Sequence, residues 1–183
     1  MAMDPLDVWQ KEIQDIKPAK KNLTKELADK IDQRVTGKMV LSMLGGPPAQ
    51  FTWKKEIFVQ LIENLPPSND TVAGITMYCN AWEAATMASV LTVTPGAFIG
   101  APAPPTLFSV VASTVLMPPS IAAGKKIIFD LLSSAVPVKN PKESKLAQAM
   151  FSAFSSLQGQ VTGLDSTPTP AGPLPLTVVS PVV

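Results

Sequence analysis

The sequence predicts a mainly α fold: an irregular multi-helix bundle with proline-rich connections and an extended C-terminal arm. Three observations lead there. Apolar residues recur at three- and four-residue spacing over much of the first 160 positions, the period of one helix face. Proline pairs at Pro47-Pro48, Pro66-Pro67, Pro104-Pro105 and Pro118-Pro119 interrupt those runs at irregular intervals, each stopping one helix and starting another. The last 18 residues carry no charge and are rich in proline, threonine and valine, a composition suited to extended backbone. At 183 residues the chain is long enough to build a sizeable core.

Asp4-Pro5 opens a helix over 5–16, with Leu6, Trp9, Ile13 and Ile16 as its apolar stripe. Asn22 caps a second helix over 22–36, with the stripe Leu23, Leu27, Ile31 and Val35, and Gly37 closes it. Met39 to Leu44 adds another apolar turn. Thr52 caps a helix over 53–64 that carries Ile57, Leu61 and Leu65. The Pro66–Asp70 turn supplies the cap for a long helix over 71–90, whose many small residues let neighbouring helices approach closely. Leu91–Thr94 ends it as a brief strand. Thr106–Met117 reads equally as helix or strand, because Val110, Val111, Thr114 and Val115 are β-branched. Helices follow from Ser120 or the prolines before it to about Ala135, and over 143–157, where Gly159 stops the last one. These elements divide the chain into a charged N-terminal helical segment (1–36), a helical body (37–160) and an extended proline-rich arm (161–183).

Charge is unevenly placed. Asp4 to Arg34 holds seven basic and seven acidic residues, whereas positions 84–124 and 166–183 hold none. The front reads as a solvated helical face, and the two uncharged stretches need covering. A net charge of +1 offers nothing to attract nucleic acid. The first 20 residues lack the apolar centre of a signal peptide. No apolar run reaches the roughly 20 residues of a spanning helix.

Catalytic chemistry finds few candidates. The chain has no histidine, the commonest general base and metal ligand, and one cysteine. Cys79 reads as a buried structural thiol, and Lys126 with Asp130 as an ordinary ion pair at four-residue spacing. Glu26, Asp29 and Asp32 are too mixed with lysines to suggest a metal cluster. No phosphate loop or nucleophile elbow follows any glycine. The expectation is a chain without enzymatic activity, metal, cofactor or small-molecule substrate.

Interaction candidates remain. Trp9 is read either as core or as a docking anchor on a helix set apart from the body. Leu164, Leu174, Leu176, Val178 and Val179 are the apolar side chains of the arm, which is expected to lie along a neighbouring subunit. On this reading deletion of 166–183 leaves a folded helical body that fails to assemble.

Trp82-Glu83-Ala84-Ala85-Thr86, Gly96 to Pro105, Met117-Pro118-Pro119-Ser120-Ile121-Ala122 and Gly163 to Leu176 resemble segments of small structural proteins of contractile-tailed bacteriophages. The resemblance covers roughly residues 82–176 and brings no catalytic residues. It implies a virion protein of the tail or baseplate, assembled in the bacterial host cytoplasm, with other virion proteins or copies of itself as partners. The alternative is a membrane-docked or membrane-active helical protein that uses the uncharged 84–124 stretch.

Overall fold

The computed structural model describes residues 3–14, 23–41, 49–65, 70–92, 98–100, 106–135, 144–165 and 175–182. Six helices dominate: α1 (Leu6–Gln14), α2 (Leu23–Val35), α3 (Lys55–Glu63), α4 (Thr71–Met87), α5 (Pro118–Ser133) and α6 (Lys145–Ser155). The mainly helical architecture stands, with two antiparallel sheets added to it. The smaller has order β1 (Val40–Leu41), β2 (Ala49–Thr52), β3 (Val90–Thr92). The larger has order β4 (Phe98–Gly100), β5 (Thr106–Leu116), β6 (Gln158–Asp165), β7 (Pro175–Pro181).

Local chemistry accounts for most helix boundaries. The Asp70 carboxylate accepts from the N–H groups of Val72 at 2.8 Å and Ala73 at 3.2 Å, satisfying two donors that a helix start leaves open. Ser144 does the same for Ala147 at the head of α6. Pro118 and Pro119 occupy the first turn of α5, where their missing N–H groups cost nothing. The helix of 53–64 begins two residues later than its stripe suggested. It buries Phe58, while Leu61 faces outward.

The β-branched stretch 106–117 resolves as strand. β5 pairs with β6 from Phe108 to Leu116, with two register shifts on the way. Met39 to Leu41 does not extend a helix: Val40 and Leu41 pair with Gln50 and Ala49, and residues 42–44 of that expected turn lie outside the described residues. Residues after Gly159 are also not a free arm. β6 begins at Gln158 and pairs along its length with β7, so the described part of 161–183 is a strand pair joined to β5. Apolar, β-branched residues without charge suit a pleated sheet as well as an isolated extended chain. Sheet pairing satisfies their backbone groups.

One hydrophobic cluster runs from Trp9 to Val182, so the segments 1–36, 37–160 and 161–183 share a core. Its centre is Phe154 on α6, whose ring meets Trp9, Phe51, Trp53 and Trp82 at centroid separations of 5.5–6.3 Å. α4 is covered on two sides, by α3 and α5, as its small residues led us to expect. Gly124 brings α5 against the Trp82 ring and the α6 backbone. Val182 is fully buried and donates its N–H to the Leu157 carbonyl at 2.9 Å. Deleting 166–183 therefore removes core as well as surface.

Three of the N-terminal charges, Asp4, Glu12 and Arg34, hold α1 in place together with Lys38. Arg34, in the last turn of α2, donates to Asp4 at 2.6 Å and to Glu12 at 2.9 Å, and Lys38 reaches the same Asp4 oxygen at 2.6 Å. Hydrogen bonds from Lys38 and then Arg34 hold the Asp4 carboxyl below the usual aspartate value of 3.8. A depressed carboxylate contributes stability above its unfolded pKa and loses it as pH falls through its folded one. The Asp4→Asn variant is therefore expected to be less stable than wild type above about pH 4. In more acidic solution the two thermal midpoints should converge. A constant difference across that range would refute the clamp. Half-exposed pairs are screened, so the effect is at most about 1 kcal/mol.

Candidate functional site

Of the clefts among the described residues, two hold the chemistry-bearing side chains that the sequence singles out. The first cleft, about 510 Å3, lies between α2 and α3 and is lined by Lys25, Asp29, Lys55, Glu56, Gln60 and Glu63 among others. Its lining carries two basic and three acidic side chains, and Lys55 is held in ion pairs. Lys55 Nζ sits 2.9 Å from Asp32 and 3.0 Å from Asp29, and those two hydrogen bonds push the ammonium pKa well above its usual value. Asp29 and Asp32, two of the three carboxylates singled out in the sequence, are thus ion-pair partners of Lys55 on α3. Among the described residues, no group of three His, Cys, Asp or Glu side chains is placed to hold a metal ion.

The second cleft, about 390 Å3, lies between α4 and α5, with Cys79, Lys125, Lys126, Phe129 and Asp130 on its walls. Cys79 is buried, and burial pushes its thiol up to about 11, despite the opposing pull of Lys125. A thiol so protonated at neutral pH is a poor nucleophile. Lys125 is itself paired with Glu83 at 2.7 Å, and Lys126 with Asp130 at 2.5 Å. Tyr78, next in the chain, has a buried hydroxyl with no protein partner, and burial raises its pKa. The lysines of this cleft are thus held in ion pairs and its thiol is kept protonated.

The interaction candidates divide. Trp9 is 1% exposed, edge-on to Phe151 at 6.1 Å and beside Phe154. It anchors α1 to α6 and is no docking side chain, because the short helix carrying it is folded onto the body by the Arg34 clamp. Leu164 lies on β6, in register with Val110 on one side and Pro175 on the other. Leu176, Val178 and Val179 lie on β7, opposite Gly163, Val161 and Gln160. Leu174 lies outside the described residues. Four of the six candidates are therefore on two neighbouring strands, at one margin of the larger sheet.

Periodicity did not single out the apolar side chains left in solvent: Val72 at 55% exposure, Met87 at 61%, Val90 at 45% and Val115 at 49%. Val72 stands at helical spacing from Cys79 and Trp82, yet it sits exposed in the first turn of α4. The uncharged 84–124 stretch is not a broken helical hairpin. Its described residues form the end of α4, β3, β4, β5 and the start of α5. Among the described residues, no helix is long and apolar enough to cross a membrane.

β7, which carries three of the candidates, is one of the two margins of the larger sheet, with β6 as its neighbouring strand among the described residues. Comparison with known proteins returns no matching family model, no matching curated protein and no matching solved structure.

Proposed function

We propose that the chain is a non-enzymatic structural protein of a tailed-phage virion, of the tail or baseplate type. It joins neighbouring subunits through exposed apolar side chains and its C-terminal residues. The observation that carries this reading is an uncharged C-terminal strand at the margin of a sheet. Soluble chains commonly protect such margins with charge or cover them, because an open edge recruits further strands. The segments around Trp82, Pro118 and Gly163 that resemble contractile-tailed phage proteins add the biological setting. Apolar burial at about 25 cal/mol per Å2 supplies the association energy. Assembly would take place in the cytoplasm of the bacterial host.

Mass spectrometry of purified particles produced from the chain's own genome tests this. The expected result is the chain in a fixed ratio to sheath, tube or capsid proteins. A chain abundant in infected cells but absent from particles would overturn the reading.

A further inference from the structure

We propose that α1 is a detachable strap over the aromatic face of α6, latched by Asp4 and Glu12 on the strap and by Arg34 and Lys38 on the body. When the latch opens, α1 lifts away and melts, uncovering Trp9 and the face made by Phe151 and Phe154. The rest of the core stays folded. This device is independent of the virion reading.

Three features make α1 separable. It is nine residues long, and an isolated helix below about 12–15 residues is marginal in water. Its helicity therefore depends on its seat. That seat is narrow, because Trp9 alone is fully buried among residues 3–13, with Met3 and Ile13 packed partly against the core. The Trp9 ring rests on Phe151 and Phe154 at 6.1 Å from each. On the α2 side a cleft of about 500 Å3, lined by Asp7, Val8, Lys11, Glu12 and Lys30, undercuts the helix. Finally, the Trp9 indole N–H is buried without a protein partner, a cost that water removes when the helix lifts.

The latch offsets that weak seat. Arg34 donates to Asp4 at 2.6 Å and to Glu12 at 2.9 Å, so one guanidinium ties down both ends of α1. Lys38 donates to the same Asp4 oxygen at 2.6 Å. Other charges on the neighbouring elements are engaged elsewhere or share the cleft. Asp29 and Asp32 of α2 hold Lys55, Lys30 faces the cleft with Asp7 and Lys11, and Lys145, the one charge of α6, donates to the Ser134 carbonyl. The bonds from Lys38 and Arg34 that depress the Asp4 carboxyl keep the latch charged at neutral pH. Its contribution is lost as pH falls through the folded value, so the strap is released in solution more acidic than the usual aspartate value of 3.8.

Hydrogen exchange of the full chain, resolved by peptide, tests the strap. At neutral pH the variant Asp4→Asn/Glu12→Gln is expected to exchange residues 6–14 about five- to tenfold faster than wild type, the size of a few screened ion pairs. The amides of α4 and α6 should keep their wild-type rates. Oxidative labelling gives a side-chain reading: Trp9 should gain reactivity while Trp53 and Trp82 remain protected. Arg34→Gln/Lys38→Gln opens the latch from the body and should give the same pattern, as should wild type in acid. Residues 6–14 that keep their wild-type exchange in the carboxylate variant overturn the latch. Exchange of 6–14 in step with α4, or equal labelling of all three tryptophans, overturns the strap, because the core then opens as one.

Discussion

Phe154→Ala is expected to destabilise the protein by about 3–5 kcal/mol, the usual cost of truncating a buried phenylalanine. The side chain is fully buried on α6. Its ring touches Trp9 of α1, Phe51 of β2, Trp53 at the entry to α3 and Trp82 of α4. Three of these contacts, to Phe51 at 6.3 Å, Trp53 at 5.6 Å and Trp82 at 5.5 Å, are edge-on, the arrangement favoured by ring quadrupoles. The four partners come from separate elements, so no single shift can refill the space. The indole N–H groups of Trp9, Trp53 and Trp82 are also buried without protein partners. Aromatic packing is thus what holds these rings in place. A domain of this size has roughly 5–15 kcal/mol in total, so the variant should lose a large share of it. Urea denaturation measures the change. A loss below about 1.5 kcal/mol would mean that Phe154 is not the centre of the core. Phe154→Leu, which keeps much of the volume, should lie between the two.

Gly124→Ala and Gly74→Ala should move stability in opposite directions. Both glycines are inside helices, where alanine is favoured by about 0.8–1 kcal/mol. At Gly74, in the first turn of α4, a Cβ would have nothing within 4 Å, and stability should rise by up to that amount. At Gly124 the Cβ would lie 2.5 Å from Trp82 Cη2 and 3.1 Å from the Ala153 carbonyl oxygen. The indole is fully buried and wedged against Phe154, and the carbonyl belongs to the α6 backbone, so neither yields cheaply. Overpacking of this kind costs about 1–3 kcal/mol and outweighs the propensity gain. Gly124→Val should cost more still. Thermal midpoints of the two alanine variants on opposite sides of wild type are the expected outcome. A stabilised Gly124→Ala would show that α5 and α6 can separate without loss.

The helices were the legible part of the fold. Ile31 with Val35 on α2, Cys79 with Trp82 on α4, and Met150 with Phe154 on α6 repeat at helical spacing, and all are buried. Asp70 announced its helix because capping is local chemistry between a side chain and the next few N–H groups, whereas the equivalent Ser144 cap emerged only in the structure. The ion pair of Lys126 with Asp130 followed from four-residue spacing alone. Trp9 was not legible in the same way. Its stripe predicts an apolar face but does not say whether the cover is α6 or another molecule. The strands over 158–165 and 175–181 were harder, because uncharged Val, Thr, Gly and Pro describe an extended chain equally well with or without a partner. Register was hidden for a further reason. Which residues of β7 stand opposite which of β6 depends on both strands, and no residue within β7 encodes it.

Thr52 does not cap α3, which starts after Lys54, but the sequence by itself determined the helical elements, the Asp70 cap, the paucity of catalytic side chains and the location of the uncharged stretches. These follow from periodicity, local hydrogen bonding and composition, which act over a few residues. Only the tertiary structure decided that Trp9 is core, that 106–116 is a strand, and that Gly124 must remain a glycine. It also decided that β7 pairs with β6. Each of those outcomes depends on a partner distant in the chain: α6 for Trp9, β6 for the strands on either side of it, and Trp82 for Gly124. Long-range packing and pairing select among conformations that are locally close in energy, and that selection turned an uncharged tail into a sheet margin.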